Sequence, residues 1–269
     1  MNTSKRSKLG VSSTVLFTQP YEDTARLAQR LGLDAVELFL DYPQFDLSMK
    51  YINNLKHFDI DYLVHLPMFD VNFGSFKSPQ KALKEIKAKI KCIAKVVPVK
   101  YATLHLGSKP LYSHKGFHKG FDKMIQEFEL KAARNTVHSL KELKSFCNKK
   151  NVKLNIENLD SPSKFGTDPK ELLYFSNYTD GITFDVAHAY LSGYDIDKYY
   201  KKIAPKVTVV HASDTIIGKD AHYPVGTLDI PAEYYAKLKP EYFIIEPNPS
   251  DVSGLRESVD ALVPAIKRL

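Results

Sequence analysis

The sequence has 269 residues, and its 38 Lys and Arg against 31 Asp and Glu give a formal net charge of +7. The hydrophobic fraction of 43% is that of an ordinary globular chain. Two cysteines, Cys92 and Cys147, exclude a disulfide scaffold and a cysteine-based zinc finger. No apolar run approaches the roughly 18 residues of a membrane span, and the basic N-terminus lacks a secretory apolar stretch. We therefore expect a cytoplasmic protein that does not enter a membrane.

Eight short apolar or β-branched segments recur along the chain, each continuous rather than alternating. Such segments are typical of strands buried on both faces of a parallel sheet. In chain order they are KLGVSSTV (8–15), AVELFL (35–40), DYLVHL (61–66), YATLHLG (101–107), KLNIENL (153–159), GITFDVAH (181–188), VTVVHAS (207–213) and EYFIIEP (241–247).

Segments with a helical period lie between these strands. The predicted helices are residues 20–31, 79–97, 121–149, a helix opened by Thr167-Asp168-Pro169, and 255–268. Strands alternating with helices at this length predict a single-domain α/β protein, a (β/α)8 TIM barrel over residues 9–269, with residues 1–8 as a flexible basic tail. A doubly wound open sheet is the alternative, but the first strand is followed by GVSST rather than a glycine-rich turn.

Histidines and carboxylates gather where the predicted strands end. These residues are His65, His105, Glu157, Asp185, His188, His211 and Glu246 at strand ends, with Asp220 and His222 in the loop after the seventh strand. In a barrel those ends meet at one mouth, where active sites are found. Buried carboxylates and imidazoles are costly unless they are paired or bind metal, so the set predicts a site for Zn²⁺, Mn²⁺ or Fe²⁺.

The remaining histidines and the cysteines fit structural roles. His57 and His138 lie in helical segments, and His114 and His118 lie in a long, polar loop. Cys92 and Cys147 have apolar neighbours on helices, which is typical of the core. Asp214, close to His211, is either a partner that fixes an imidazole tautomer or a hydrogen-bonded loop residue.

The strand-end residues resemble those of the endonuclease IV family of apurinic/apyrimidinic endonucleases, within the xylose-isomerase-like TIM barrels. The resemblance covers residues 9 to 268. The motifs that carry it are FDVAHAYLSGYDI (184–196), VHLPMFDVNFGS (64–75), HLGS (105–108), IENL (156–159) and DAHYPVG (220–226).

The resemblance implies a zinc-dependent hydrolase that cleaves DNA at abasic sites, acting as a monomer, with manganese or iron as alternative metals. It implies catalytic roles for Glu157 and Glu246. It also implies three metal sites: His65, His105 and a bridging Glu157; then Glu157, Asp185, His211 and Glu246; then His188, Asp220 and His222. The family's basic residue after the second strand has no counterpart in LDYPQFD (40–46).

Two other functions stay open at this stage. Related sugar isomerases and epimerases use one metal on a set that matches Glu157, Asp185, His211 and Glu246, with the two glutamates moving a proton. A catalytically silent binding protein on the same barrel is the third possibility. The number of bound metals separates the hydrolase from the isomerase: nearly three metals per chain would support the hydrolase, and one would support the isomerase.

Overall fold

Parallel strands close into a barrel that positions every predicted site residue. The computed structural model describes residues 6–69, 71–73, 79–110, 112, 115–116 and 119–267. Its strands are β1 (Lys8–Ser12), β2 (Ala35–Phe39), β3 (Asp61–His65), β4 (Val99–Leu104), β5 (Lys153–Glu157), β6 (Gly181–Asp185), β7 (Val207–Ala212), β8 (Asp214–Ile216), β9 (Lys219–Tyr223) and β10 (Tyr242–Ile245). Strands β1 to β7 and β10 pair in sequence order, and β10 closes on β1. The predicted (β/α)8 barrel is confirmed.

Helices surround the barrel and cover the outer faces of its strands. They are α1 (Tyr21–Arg30), α2 (Gln44–Met49), α3 (Pro79–Ala94), α4 (Lys119–Asn148), α5 (Pro169–Ser176), α6 (Val186–Leu191), α7 (Ile196–Ile203) and α8 (Val252–Lys267). The longer predicted helices all form. Asp168 begins α5 as expected, since its carboxylate accepts hydrogen bonds from the backbone N–H groups of Lys170 and Glu171.

Several short elements were not predicted from the sequence. Helices α2, α6 and α7 span only six to eight residues, too few for an apolar period to stand out. The loop after β7 folds into an antiparallel hairpin of β8 and β9. The predicted tail also needs adjustment: Lys8 is the first residue of β1, while residues 1–5, like His114 and His118, lie outside the described part of the chain.

Helix α3 shows how the core is formed. Its apolar residues Leu83, Ile86, Ile90 and Ile93 are buried against the barrel, as predicted. Cys92 is exposed, so the expectation that it lies in the core was wrong, whereas Cys147 on α4 is buried. Cys92 lies next to the buried stripe in sequence, but each residue turns by about 100° around a helix, which takes it off that stripe.

The barrel interior is layered because side chains of a strand alternate between its two faces. An apolar layer at the amino-terminal end contains Ala35, Leu63, Tyr101, Val209, Tyr242 and Ile244. Two residues further along β2, β3 and β7, on the same face, come Glu37, His65 and His211. The interior therefore changes from apolar to ionisable towards the mouth.

Within the described residues, no helix combines the length and the apolar character needed to cross a bilayer.

Candidate metal centre

Six of the nine predicted residues lie where the sequence placed them, at the carboxyl ends of barrel strands. His65, Glu157 and Asp185 are the last residues of β3, β5 and β6, whereas His105 and Glu246 directly follow β4 and β10. His211 lies within β7, one residue before its end. Because the strands are parallel, all six side chains meet at the mouth of the barrel.

The other three predicted residues belong to elements that the sequence did not predict. His188 lies in the first turn of α6 rather than on a strand, because the Asp185 carboxylate caps this helix and accepts the backbone N–H of His188 at 2.6 Å. Asp220 and His222 lie on β9 of the hairpin. His222 has a positive φ of 44°, which is uncommon for a residue other than glycine and occurs in turns and at functional sites.

Glu157 is the centre of the cluster. Its Oε2 lies 3.2 Å from His105 Nε2 and 3.4 Å from His65 Nε2, and its Oε1 lies 3.3 Å from Nδ1 of both His211 and His188. His211 Nδ1 also lies 3.4 Å from Glu246 Oε2. One fully buried carboxylate thus contacts four imidazoles.

Two groups of these residues have ligand atoms close enough to hold a metal ion. Their members each offer one atom within 4.8 Å of the others, and the groups are His65, His105 and Glu157, and Glu157, Asp185, His211 and Glu246. Glu157 belongs to both. These are the first two sets that the resemblance implied.

The third implied set is arranged around Asp220 but is less compact. Asp220 Oδ2 lies 3.3 Å from His188 Nε2, and Asp220 Oδ1 lies 3.5 Å from His222 Nε2. Among the described residues, this set does not bring its three ligand atoms as close together as the other two groups do.

Backbone carbonyls fix the tautomers of two of the histidines. His65 Nδ1 lies 3.0 Å from the Leu66 carbonyl oxygen, and His188 Nδ1 lies 2.9 Å from that of Asn158. A carbonyl can only accept, so Nδ1 donates and Nε2 is left with a lone pair. That lone pair faces Glu157 in His65 and Asp220 in His188. A lone pair facing a carboxylate requires a cation between them, either a proton or a metal ion.

Buried atoms without a hydrogen-bond partner also indicate a missing cation. Asp185 Oδ2 and His222 Nδ1 are buried without a hydrogen bond. Unsatisfied buried polar atoms are costly and call for a missing partner. The nitrogen and oxygen donors present here suit Zn²⁺ and related divalent ions, so the residues fit such a metal.

Without metal, protons take the place of the cations. Burial alone would lower the pKa of His65, but the hydrogen bond and the charge of Glu157 raise it to about 9. For Glu157, burial is outweighed by His211 and His105, which hold its pKa well below the ordinary value. Burial raises the pKa of Asp185 to about 6. For Glu246, burial is outweighed by His211, which lowers its pKa to about 2.

Among the described residues, the Asp214 carboxylate is bonded to backbone N–H groups and not to an imidazole. It accepts backbone N–H groups from Thr215 at 2.8 Å, Leu228 at 2.7 Å and Ile230 at 2.9 Å. Of the two roles considered for it, the hydrogen-bonded loop residue is therefore correct. It ties the base of the hairpin to residues 228–230.

Glu37 is a residue of the centre that the sequence analysis missed. It is fully buried inside the barrel, and its Oε2 lies 3.0 Å from His211 Nε2. The signal was present in AVELFL, where one charged residue interrupts an apolar strand and lies on the same face as Ala35.

A cavity of about 270 Å³ opens above the cluster. Its polar side is formed by His65, His105, Glu157, His188, Asp220, His222 and Glu246, and its apolar side by Phe17, Phe39, Met68, Phe69, Pro247 and Pro249. Among the described residues that line it, none is Lys or Arg. A neighbouring groove of about 490 Å³ shares His105, His188 and Asp220 with this cavity and contains Lys164.

Comparison with known proteins identifies the family. Residues 25–260 match the xylose isomerase-like TIM barrel family, so the chain belongs to that family. The comparison with curated proteins found no match.

Solved structures with the same fold include proteins of different activities. A D-tagatose 3-epimerase-like protein is 20% identical, with a TM-score of 0.75 and coverage of 97% of this chain and 99% of that one. An AP endonuclease, family 2, from Brucella melitensis is 13% identical, with a TM-score of 0.71 and coverage of 96% and 98%. The IOLI protein, with a bound zinc atom, is 15% identical, with a TM-score of 0.70 and coverage of 97% and 98%. At these identities the likeness establishes the fold alone.

Proposed function

We propose that this protein is a metal-dependent phosphodiester hydrolase, and that its substrate is DNA at an abasic site. The observation that carries the proposal is the position of Glu157, which belongs to two ligand groups at once. A one-metal isomerase needs only the four-residue group. His65 and His105 are not needed as metal ligands in such an enzyme, whereas adjacent metal ions are typical of phosphodiester hydrolysis.

The residues that would hold the metals are the two groups that share Glu157, with His188, Asp220 and His222 as the third set. Bound divalent ions would supply Lewis acidity at the phosphate and would lower the pKa of water at the site. Glu246 stands between the cluster and the cavity and keeps its charge near neutral pH, since its pKa is lowered to about 2 by His211 against the effect of burial. It is therefore available to accept a hydrogen bond from a water on the cavity side.

The surroundings of the cluster favour a substrate that extends beyond the cavity. The groove with Lys164 adjoins the cavity directly, and the chain as a whole carries a charge of +7. A basic chain attracts a phosphate backbone, although such attraction does not select a sequence.

The test uses a fluorescently labelled duplex with one abasic site and the purified protein loaded with Zn²⁺, Mn²⁺ or Co²⁺. We expect incision at the abasic site, abolished by chelator and absent on an intact duplex. Glu157→Gln is the inactive comparison. Failure to cut with all three metals, in a protein shown to contain them, would rule out abasic DNA as the substrate.

A second candidate is a one-metal sugar epimerase or isomerase, favoured by the cavity itself. The cavity is small, has an aromatic wall, and among its described lining residues has no cation to bind a phosphate. Glu157 and Glu246 would then act at the carbon next to a carbonyl group, one removing its proton and the other returning a proton to the opposite face. Conversion of free ketohexoses by protein containing one metal per chain, without incision of DNA, would support this candidate over the hydrolase.

A further inference from the structure

Glu37 has an unusual environment for a carboxylate. It lies on β2 inside the barrel, directly beneath the four-residue ligand group, and is fully buried. Thr103 Oγ1 donates a hydrogen bond to its Oε1 at 3.0 Å, and its Oε2 lies 3.0 Å from His211 Nε2. Among the described residues, neither Glu37 Oε2 nor His211 Nε2 has a hydrogen-bond partner. The 3.0 Å approach between these two buried atoms is therefore the one polar contact that either can use.

The two nitrogens of His211 face different partners. Nδ1 lies 3.3 Å from Glu157 Oε1 and 3.4 Å from Glu246 Oε2, which are members of the ligand group. Nε2 faces Glu37 on the opposite side of the ring. A neutral imidazole has one N–H and one lone pair, and only the nitrogen with the lone pair can bind a metal. A carboxylate oxygen beside Nε2 favours the tautomer in which Nε2 carries the hydrogen and Nδ1 is the ligand.

The orientation of Glu37 is set by a chain of hydrogen bonds across the barrel. The single hydroxyl hydrogen of Thr103 is donated to Glu37, so in the 2.9 Å contact between Thr103 and Thr183 the donor is Thr183. Asn155 Nδ2 in turn donates to Thr183 at 3.2 Å. All three donors point the same way, towards Oε1 of Glu37. Oε1 is thereby occupied as an acceptor, and Oε2 is left for His211.

Comparison with the other histidines shows what is special about this contact. His65 Nδ1 and His188 Nδ1 each lie within 3.0 Å of a backbone carbonyl, of Leu66 and Asn158, although His188 Nδ1 also lies 3.3 Å from Glu157 Oε1. Among the described residues, His211 Nε2 has no carbonyl partner and faces only the Glu37 carboxylate. A carboxylate that lies against one imidazole nitrogen favours a proton on that nitrogen and increases the basicity of the opposite one.

We propose that Glu37 is a positioning residue of the metal centre, which keeps the proton of His211 on Nε2 and so makes Nδ1 a metal ligand. The proposal rests on the metal-binding part of the proposed function and is independent of the substrate.

The test is Glu37→Gln, which keeps the size of the side chain and replaces one oxygen with an NH₂ donor. Thr103 already donates to the position of Oε1, so the new NH₂ group faces His211 Nε2 and forces the proton onto Nδ1. We expect one zinc ion per chain to bind 10- to 100-fold more weakly, measured by competition with a chromophoric chelator. Zinc held by His65, His105 and Glu157 should keep its affinity. Thr136→Val is the matched control, because it removes a buried 3.0 Å hydrogen bond to Ala132 on α4, away from the centre.

A double-mutant cycle distinguishes positioning from a general effect on stability. If Glu37 acts through His211, Glu37→Gln has no further effect on zinc affinity in a His211→Gln background. Histidine ¹⁵N spectra of the zinc-loaded protein provide a direct readout: the His211 signal, assigned by its loss in His211→Gln, should show a protonated Nε2 that Glu37→Gln abolishes. Thr103→Val is the second variant, expected to weaken the same zinc site by a smaller factor, and it is decisive if Glu37→Gln does not fold.

The outcomes separate the two proposals. Wild-type protein that binds no zinc would overturn the metal centre and Glu37's role together. Wild-type protein that binds zinc, with unchanged affinity in the folded Glu37 and Thr103 variants, would overturn the role of Glu37 and leave the metal centre standing. An equal loss of affinity with and without His211 would overturn it as well, since Glu37 would then be structural.

Discussion

Glu157 shows how one residue can connect two sites. Its two oxygens contact four histidines. The residue is also a member of both ligand groups. No other residue belongs to both groups. Changes at this residue and at Glu246, which belongs to only one group, should therefore have different consequences.

We predict that Glu157→Gln removes zinc from both groups, whereas Glu246→Gln weakens only the four-residue group. The loss at Glu157 should exceed the roughly 100-fold effect typical of residues that only contact a ligand, because a ligand itself is lost. Elemental analysis and chelator competition on the two variants measure this difference. An equal loss of zinc in the two variants would show that Glu157 is not shared between the two ligand groups.

His65 should make the stability of the metal-free protein depend on pH. Its pKa is raised to about 9 by Glu157, which outweighs the opposing effect of burial. A histidine with a raised pKa in the folded state stabilises the fold fully below about 6.5, its ordinary pKa. That contribution is lost as the pH rises through 9.

Metal-free protein should accordingly lose unfolding free energy between pH 6.5 and 9, by on the order of 3 kcal/mol from His65. His188 and His211 act in the same direction, because carboxylates raise the pKa of each above its ordinary value in spite of burial. Denaturant titrations of His65→Gln beside the wild type isolate the His65 part. If the free energy of unfolding depended on pH in the same way in the wild type and in His65→Gln, His65 would not be the source of this pH dependence.

At the level of elements, the hairpin of β8 and β9 determines whether Asp220 and His222 reach the centre. Asp214 holds its base by accepting three backbone N–H groups. Hydrogen bonds to a charged acceptor contribute more to stability than neutral ones. The long predicted helices and all barrel strands followed from the apolar pattern, but this hairpin depends on a carboxylate whose partners are 14 and 16 residues away.

We predict that Asp214→Asn lowers the free energy of unfolding by about 2 kcal/mol and speeds amide exchange across residues 214–230. Asp229→Asn is the matched control in the same segment. Asp229 is exposed, its side chain accepts one hydrogen bond among the described residues, from the Tyr190 hydroxyl at 2.9 Å, and the substitution should change stability by less than about 0.5 kcal/mol. Zinc bound by His65, His105 and Glu157 should be retained in both. Amide exchange that stays slow in the Asp214 variant would contradict this role.

For the whole molecule, the sequence predicted the barrel because parallel strands buried on both faces leave a plain apolar pattern. It also predicted which histidines and carboxylates come near the mouth, since strand ends in a barrel converge. It did not predict Glu37, because which strands face each other across the barrel depends on closure. Nor did it predict that Asp185 caps α6 and turns His188 towards Asp220. The contacts of Glu37 with His211 and of His188 with Asp220 join separate elements, whereas the Asp185 cap is local and was missed because α6 was taken for the end of a strand.

The distribution of charge also becomes clearer at this scale. Five carboxylates lie in or beneath the centre: Glu37, Glu157, Asp185, Asp220 and Glu246. The rest of the chain is therefore more basic than its net +7 suggests. Bound divalent cations would offset this negative charge and allow the centre to accept the anionic substrate that we propose.

The most direct test of the shared metal centre is the number of zinc ions per chain, determined by native mass spectrometry after loading and removal of excess metal. Our account predicts at least two ions per wild-type chain, and loss of both in Glu157→Gln. The account would be contradicted if the wild-type chain bound no more than one zinc ion, and if that ion were still bound after both His65 and His105 were replaced by Gln.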